Sequence, residues 1–144
     1  MWAILEATTP FLPAQKPRYL MGVGTPADLV RGVQHGVDMF DCVLPTRMGR
    51  NGSAFTWEGR VNLLNAKFTD DPGPIDPRCT CGVCRTFSRA YLRHLLKANE
   101  ILAVRSISYH NVALYQQVMA AIREAIVAGT FAAWSAEFLA GYRE

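Results

Sequence analysis

The sequence lacks the features of a membrane-anchored or secreted protein. No stretch approaches the roughly 18 to 20 uninterrupted apolar residues that span a bilayer. Residues 1–13 lack the basic region and small-residue cleavage site of a signal peptide. Low-complexity segments and internal repeats are also missing. We therefore expect a cytoplasmic protein with no membrane partner.

Charge and hydrophobicity indicate a folded chain with a basic middle section. Half of the 144 residues are hydrophobic, which is enough to bury one core. The net charge is +3, but residues 42–110 hold ten Lys or Arg against five acids, a net +5, so the remainder carries −2. Such a section favours a polyanionic partner such as RNA, because binding phosphates releases counterions. A solvated basic surface without any partner explains the charge equally well.

The first third of the chain has the pattern of a strand, a helix and a second strand. Residues 18–24 form a short apolar run that predicts a buried strand. Thr25 is a favoured N-cap, Pro26 fits the first helical position, and the apolar stripe that follows ends at Gly36. Residues 37–44 form a second apolar run. Two parallel strands of an α/β fold are therefore expected.

Residues 46–76 differ in composition from the segment before them. Glycines at positions 49, 52, 59 and 73 and prolines at 72 and 74 interrupt every apolar run. This composition predicts a hairpin-bearing insertion without a helix, with strands near 54–57 and 60–64.

Three helices are predicted after the cysteines. The first covers residues 86–98, the second has Asn111 as its N-cap and ends at Gly129, and the third covers about 131–142. The residues expected on the buried sides of the first two helices are Phe87, Ala90, Tyr91, Leu92, Leu95, Val112, Tyr115, Val118, Met119, Ile122 and Ile126.

Three cysteines and one histidine have the spacing of a metal site. Cys79, Cys81 and Cys84 form a C-x-C-x2-C pattern, and His110 follows farther along. Three thiolates and one imidazole fill the four positions of tetrahedral zinc and leave none for water, which indicates a structural ion. His94 is the competing fourth ligand. The alternative without metal is a set of buried or disulfide-linked cysteines, which a cytosolic context and the short spacings disfavour.

Asp41 interrupts the second apolar run, between Phe40 and Cys42. Burying a carboxylate is unfavourable unless it is paired or takes part in chemistry. At the carboxyl end of a parallel strand it would project into the crevice where α/β folds place active sites. A catalytic or binding role and a structural role, as a helix cap or arginine partner, are equally open on these grounds. Asp38, at the start of the same strand, fits the structural role, and Cys42 fits a buried spacer.

A cationic segment follows Asp41. Arg47 and Arg50 lie three residues apart, near Gly49 and Gly52. This pattern predicts a flexible loop that contacts phosphates and splayed bases. Together with a strand-end aspartate, it indicates a site where a nucleophile is flanked by groups that bind a polyanion.

Six segments carry a specific pattern in a fixed order. They are YLMGVGTP (Tyr19–Pro26), FDCVLPTRMGRNG (Phe40–Gly52), the residues around Asn65–Lys67, CTCGVC (Cys79–Cys84), FSRAYLRHL (Phe87–Leu95) and YHN (Tyr109–Asn111). Together these segments closely resemble bacterial tRNA-guanine transglycosylases, over roughly residues 15–140.

The resemblance implies an α/β fold that is the C-terminal part of a (β/α)8 TIM barrel. About two βα units, a zinc-binding insertion and C-terminal helices are expected, with one structural Zn²⁺ bound to the three cysteines and His110. The implied reaction exchanges guanine at the tRNA wobble position for a 7-deazaguanine base, a step of queuosine biosynthesis. Asp41 is then the nucleophile that attacks the anomeric carbon of the ribose and forms a covalent RNA–enzyme intermediate.

The same resemblance implies further site residues. Tyr19, Met21 and Gly22 fall where family members line the base pocket. Met48 departs from the family pattern, in which a polar residue is more usual. The residues that fall on RNA-contacting segments are Gly22, Val23, Gly24, Thr25, Pro26, Ala27 and Asp28, and Thr46, Arg47, Met48, Gly49 and Arg50.

The family's chains are much longer than this one. The absent N-terminal part holds the other barrel strands, the base-recognising aspartates and the general acid/base, and two βα units cannot close a barrel. We therefore expect an incomplete barrel that is inactive alone. It would be completed by another chain, by the missing N-terminal part or by self-association as a homodimer. The expected division is residues 1–45 with the nucleophile strand, 46–110 with the arginine segment and zinc site, and 111–144 as C-terminal helices packed on the barrel.

Two other readings stay open at this point. The main alternative is a non-catalytic, zinc-stabilised module of the same family that binds RNA or a partner subunit. The presence of Asp41 argues against it, because pure binding gives no reason to keep an acid there. A relative that acts on DNA or another nucleic acid is a third reading.

Overall fold

The structure, a computed structural model, describes residues 1–143, which form two compact units. The first unit comprises Met1–Val43 and Met119–Gly141. The second comprises Leu44–Val118 and the chain end from Tyr142. Across the described residues, no helix combines the length and the apolar character needed to cross a membrane.

Seven helices and four strands occur in the described residues. In chain order they are α1 (Trp2–Thr8), β1 (Tyr19–Leu20), α2 (Pro26–Gln34), β2 (Met39–Phe40), α3 (Leu44–Arg50), β3 (Ser53–Thr56), β4 (Gly59–Asn62), α4 (Gly82–Thr86), α5 (Arg89–Lys97), α6 (Ile101–Val127) and α7 (Phe131–Gly141), with 3-10 turns at Thr9–Phe11 and Ala66–Phe68.

The first unit contains the predicted strand, helix and parallel strand. Strands β1 and β2 pair in parallel, with Tyr19 opposite Met39. Each strand has two residues, because only the paired part of each apolar run forms a ladder. Helix α2 begins as predicted: the Thr25 hydroxyl accepts from the Asp28 N–H at 3.2 Å, and the Asp28 carboxylate accepts from the Thr25 N–H at 2.8 Å. The α/β pattern is therefore confirmed in this unit.

Helix α2 packs against α7 in the first unit, where the Gln34 amide donates to the Ser135 hydroxyl at 2.9 Å. The predicted burial of the first strand is wrong, because β1 pairs with β2 alone among the described residues and the sheet residues Tyr19 and Met39 are 53% and 51% exposed. The apolar residues buried in this unit include Ala27, Leu29, Val30, Val37, Ile122 and Ala125.

The second unit is built on the predicted hairpin. Strands β3 and β4 are antiparallel, with Phe55 opposite Arg60 and Thr56 opposite Gly59. The expected strands were therefore placed to within one or two residues. The core of this unit consists of Ala54, Leu63, Phe68, Ile75, Cys79, Cys81, Val83, Leu92 and Ile107.

The predicted flexible arginine loop is wrong, because residues 44–50 form helix α3. Pro45 lies at the start of this helix, where its missing N–H is tolerated. Gly49 faces α6 so closely that an added Cβ would lie 2.7 Å from the Ser108 backbone. Tertiary packing of this kind outweighs the low helix propensity of glycine.

Two predicted helix starts are also wrong. Ser88 caps α5, and a separate short helix, α4, precedes it. Helix α6 begins at Ile101, ten residues before Asn111, after a turn in which Asn99 has a φ of 56°. Asparagine is favoured at N-caps, but the Asn111 side chain bonds to other segments instead.

The predicted buried faces are partly confirmed. Leu92, Leu95, Tyr115, Val118 and Ile122 are buried as expected. Three others, Phe87, Ala90 and Met119, are half-buried. The remaining three, Tyr91, Val112 and Ile126, are exposed by 41%, 42% and 50%.

Candidate functional site

The four predicted metal ligands meet in the second unit. The ligand atoms of Cys79, Cys81, Cys84 and His110 all lie within 4.8 Å of one another. The His110 Nδ1 atom is 3.6 Å from the Cys81 Sγ and 3.2 Å from the Cys84 Sγ. Tetrahedral zinc, with Zn–S about 2.3 Å and Zn–N about 2.0 Å, requires edges of about 3.5 to 3.8 Å. The donor set and its spacing therefore fit one zinc ion, whereas His94 is exposed on α5.

Local structure places the cysteines for this role. Cys81 is the N-cap of α4, and its Sγ accepts the N–H of Cys84 at 3.5 Å. The loop before Cys79 is fixed by Asp76, a carboxylate that is 2% exposed. This carboxylate accepts the N–H groups of Trp57 at 2.6 Å and Arg78 at 2.7 Å. The cysteine loop is thereby tied to the hairpin turn.

His110 lies inside α6, fully buried, and contacts strand β3. Its Nε2 atom is 2.8 Å from the Phe55 carbonyl oxygen. A carbonyl only accepts, so Nε2 carries the proton and Nδ1 is left to bind a metal. On the other side of the site, the Gln117 amide donates to the Cys79 Sγ at 3.4 Å.

Contacts within the cluster shift the pKa values of Cys79, Cys84 and His110. A hydrogen bond with Cys84 lowers the pKa of the Cys79 thiol to about 3, and the same contact raises the pKa of Cys84. Burial lowers the pKa of His110, but hydrogen bonds with Cys79 and Cys81 outweigh it and raise that pKa to about 9. Without metal, Cys84 and His110 therefore keep protons at neutral pH. An incoming zinc ion displaces them, so its affinity falls as the pH falls.

Asp41 lies in the first unit, directly after β2. The Tyr19 hydroxyl donates to its Oδ1 at 2.6 Å, and the Gly22 N–H donates to the same oxygen at 3.0 Å. The Tyr19 hydrogen bond, and then that of Gly22, lower the pKa of Asp41, and the same contact raises the pKa of Tyr19. The expectation of a buried carboxylate is wrong: Asp41 is exposed, because it follows the last paired residue of β2.

The other predicted residues of the first unit have varied surroundings. Met21 is 74% exposed and Gly22 lies beside Asp41. Pro26 and Ala27 are buried at the start of α2, and Thr25 and Asp28 bond to each other in the capping box that begins this helix. The structure therefore brings Tyr19 and Gly22 to Asp41.

Two neighbours of Asp41 in the sequence make structural contacts. The Cys42 thiol is half-buried and donates to the Gly24 carbonyl oxygen at 3.4 Å. The Asp38 carboxylate accepts the backbone N–H of Arg18 at 2.8 Å.

In the second unit, Arg47 and Arg50 are exposed on α3. Thr46 is exposed as well, whereas Met48 is half-buried and Gly49 is buried against α6. The two arginines therefore extend from a helix.

A family model described as "Queuine tRNA-ribosyltransferase" matches residues 1–144. The chain belongs to this family. It is 54% identical over 143 residues to the queuine tRNA-ribosyltransferase of Sphingopyxis alaskensis, covering 99% of this chain and 38% of that relative. It is 55% identical to that of Novosphingobium aromaticivorans over 142 residues, again with 99% and 38% covered. The chain therefore spans about 38% of the length of the curated relatives it matches.

Membership of the queuine tRNA-ribosyltransferase family confirms the resemblance seen in the motifs. Three contributors to the metal site were nevertheless missed: Asp76, Asn111 and Gln117. Gln117 lies seven residues after His110, two helical turns along the same face, so the spacing could have identified it. No sequence signal identified Asp76, because its partners are backbone N–H groups.

Proposed function

We propose that this chain is the C-terminal, nucleophile-bearing and zinc-bearing part of a tRNA-guanine transglycosylase. In this proposal, β1–α2–β2 is a portion of an incomplete (β/α)8 barrel. The reaction exchanges guanine at the wobble position of tRNA for a 7-deazaguanine base. Family membership and the Asp41 site support the proposal. The zinc ion has a structural role and takes no part in the reaction.

The observation that carries the proposal is the way Asp41 is held. Both donors, Tyr19 and Gly22, contact Oδ1. We therefore assign the nucleophilic attack to Oδ2. Because the carboxylate is exposed and its pKa is lowered, it is ionised at neutral pH without having to lose a proton.

The proposed exchange has two displacements at one carbon. In the first, Oδ2 of Asp41 bonds to the anomeric carbon of the ribose, and guanine leaves with the electrons of its glycosidic bond. In the second, the nitrogen of the incoming base gives its proton to a general base supplied by the rest of the barrel and bonds to that carbon, and the carboxylate leaves. A carboxylate of low pKa is a good leaving group, which favours the second displacement. Two inversions at the same carbon retain its configuration.

The substrate contacts in this proposal follow the family's segments. Tyr19, Met21 and Gly22 line the base pocket, which agrees with the exposure of Tyr19 and Met21. Residues 22–28 and 46–50 contact RNA. A base that must leave its stack fits recognition of a single-stranded loop.

The proposal also assigns a limit to this chain. Guanine needs a general acid as it leaves. Among the described residues within hydrogen-bonding distance of Asp41, Tyr19 is the only candidate for this role. The raised pKa of Tyr19 disfavours its ionisation, so it serves as a donor to Asp41. We therefore propose that base exchange requires the segment that supplies the rest of the barrel, and that the 144 residues alone do not incorporate guanine.

A chimera tests this proposal. The N-terminal part of the Sphingopyxis alaskensis relative is fused to this chain, and incorporation of labelled guanine into tRNA is measured. We expect exchange and a denaturant-resistant RNA adduct, both lost in Asp41→Asn and retained in the neighbouring control Asp38→Asn.

Two results would contradict the proposal. If the Asp41→Asn chimera exchanged guanine normally, the assigned nucleophile would be wrong. If a folded chimera bound tRNA without exchange, the alternative of a non-catalytic RNA-binding module would be favoured.

A further inference from the structure

A cationic pocket of about 340 Å³ lies beside the β3–β4 turn in the second unit. Its volume reaches the lower end of the range for ligand-binding pockets. None of its residues belongs to the Asp41 site or to the metal ligands. The cationic side chains that line it are Arg60, Lys67, Arg78, Arg89 and Arg143.

The carboxylates at this pocket leave a positive excess. Glu58 and Asp76 line it. The two oxygens of Asp76 already accept the backbone N–H groups of Trp57 and Arg78. Glu58 is exposed at the hairpin turn. Five cations thus face two carboxylates, one of which is buried and hydrogen-bonded.

Arg89 is the cation of this pocket that has an ion-pair partner among residues 1–143. It contacts Asp71 at 3.0 Å and donates twice to the Ile75 carbonyl oxygen. The other four cations form no salt bridge within the described residues. Within the part of the chain that the structure describes, no carboxylate forms an ion pair with these four cations, so they can pair with a polyanionic group.

Aromatic rings hold two of these four cations in place. The Arg78 guanidinium lies 4.8 Å from the centroid of the Trp57 ring. The Lys67 Nζ lies 4.9 Å from the centroid of the Phe68 ring. Stacking on a ring face restricts the side chain while its N–H groups stay available at the edge.

Backbone pairing brings the remaining two arginines together. The Arg60 N–H donates to the Arg143 carbonyl oxygen at 3.3 Å, and the Arg143 N–H donates to the Glu58 carbonyl oxygen at 2.9 Å. Gly59, with a φ of 133°, allows this approach, because an added Cβ would lie 2.0 Å from the Arg143 oxygen. The pairing thus depends on a glycine at the turn.

We propose that this pocket binds a phosphate group, supplied either by a free phosphate compound or by the backbone of an RNA. Guanidinium groups match the geometry of phosphate oxygens through paired N–H donors. The site is distinct from the residues proposed for base exchange, because none of the residues that line it is assigned to the reaction.

The test uses the zinc-loaded chain and two probes, inorganic phosphate and oligouridine. Oligouridine contains no guanine, so base exchange cannot contribute to the result. Binding is followed through the NMR signals of the Trp57 indole and the arginine side chains. Two pocket variants are compared, Arg60→Gln/Arg78→Gln and Lys67→Gln/Arg143→Gln. The control, Lys97→Gln/Arg105→Gln, removes the same charge from exposed positions of the second unit outside the pocket.

We expect saturable phosphate binding that weakens at least about tenfold in each pocket variant and less than about twofold in the control. If the salt slope of oligouridine binding also falls, by about 0.7 for each lost contact, RNA is the source of the phosphate. If phosphate binding alone responds, a free phosphate compound is the source.

The proposal is overturned if neither probe saturates at low ionic strength, or if the control weakens binding as much as the pocket variants. Thermal melting checks that each variant is folded. Because two separate pairs are tested, the loss of one to misfolding leaves the other to decide.

Discussion

The Nε2 atom of His110 lies 2.8 Å from the Phe55 carbonyl oxygen, and this contact determines which histidine nitrogen faces the cysteines. The next residue, Asn111, accepts the Phe55 N–H at 2.9 Å. Two successive residues of α6 therefore bind both backbone groups of one residue in β3. The hairpin, the long helix and the metal site are consequently stabilised by the same contacts.

Zinc binding should depend on the three clustered cysteines. We expect Cys81→Ala to lose its zinc and to lower the free energy of unfolding by several kcal/mol, or to prevent folding, because an incomplete site no longer holds the ion. Metal analysis and urea unfolding measure the two effects. Cys42→Ala is the matched control, because Cys42 lies in the first unit and should leave one zinc per chain. Full zinc content in Cys81→Ala would refute the structural assignment.

Asn111 should contribute strongly to stability. Its amide also donates to the carbonyl oxygens of Pro45 at 2.8 Å and Ser53 at 3.1 Å. Asn111→Ala removes three buried hydrogen bonds to backbone groups, so we expect the free energy of unfolding to fall by about 3 kcal/mol or more. Urea unfolding with zinc present tests this. Gln116→Ala, an exposed amide on the same helix, should change it by less than about 0.5 kcal/mol. A loss below about 1 kcal/mol at Asn111 would contradict the network.

Local sequence signals located the metal ligands and the start of α2. The C-x-C-x2-C spacing and the Thr25–Asp28 capping box act over a few residues, so short patterns are enough to identify them. The same is true of the hairpin, which glycines flank.

Features that depend on distant contacts were not predicted. Helix α3 forms although the glycines predict a loop, because Gly49 packs against Ser108, 59 residues farther along the chain. Asn111 resembled a helix cap, but its partners lie 56 residues or more away along the chain. Asp41 appeared buried because its sequence neighbours are apolar, whereas its exposure depends on where β2 stops pairing. Patterns within a window of residues cannot reveal these contacts.

Tyr19 should control the ionisation of Asp41. The hydrogen bond from Tyr19 is the main cause that lowers the pKa of Asp41 below its ordinary 3.8, so Tyr19→Phe should raise that pKa toward 3.8. Because the lowered pKa belongs to the folded state, the ionised Asp41 stabilises the fold above pH 3.8. This contribution to the free energy of unfolding is lost as the pH falls through the folded-state pKa. A carboxyl ¹³C NMR titration measures the shift. Tyr109→Phe, at an exposed position of α6, is the control, and an equal shift there would exclude a specific effect.

Arg50 should contribute to RNA binding through charge. Arg47 and Arg50 lie one turn apart on the exposed surface of α3, so both cations point to the same side of a helix. We expect Arg50→Ala to weaken binding to a single-stranded RNA at low salt and to reduce the slope of log K against log salt by about 0.7, because one fewer counterion-releasing contact is made. Filter binding at several salt concentrations measures the slope. Lys97→Ala removes the same charge at the end of α5 and should leave the slope unchanged if binding is localised. An unchanged slope in Arg50→Ala would remove this arginine from the interface, and equal effects in both variants would show that the basic section attracts RNA only through its overall charge.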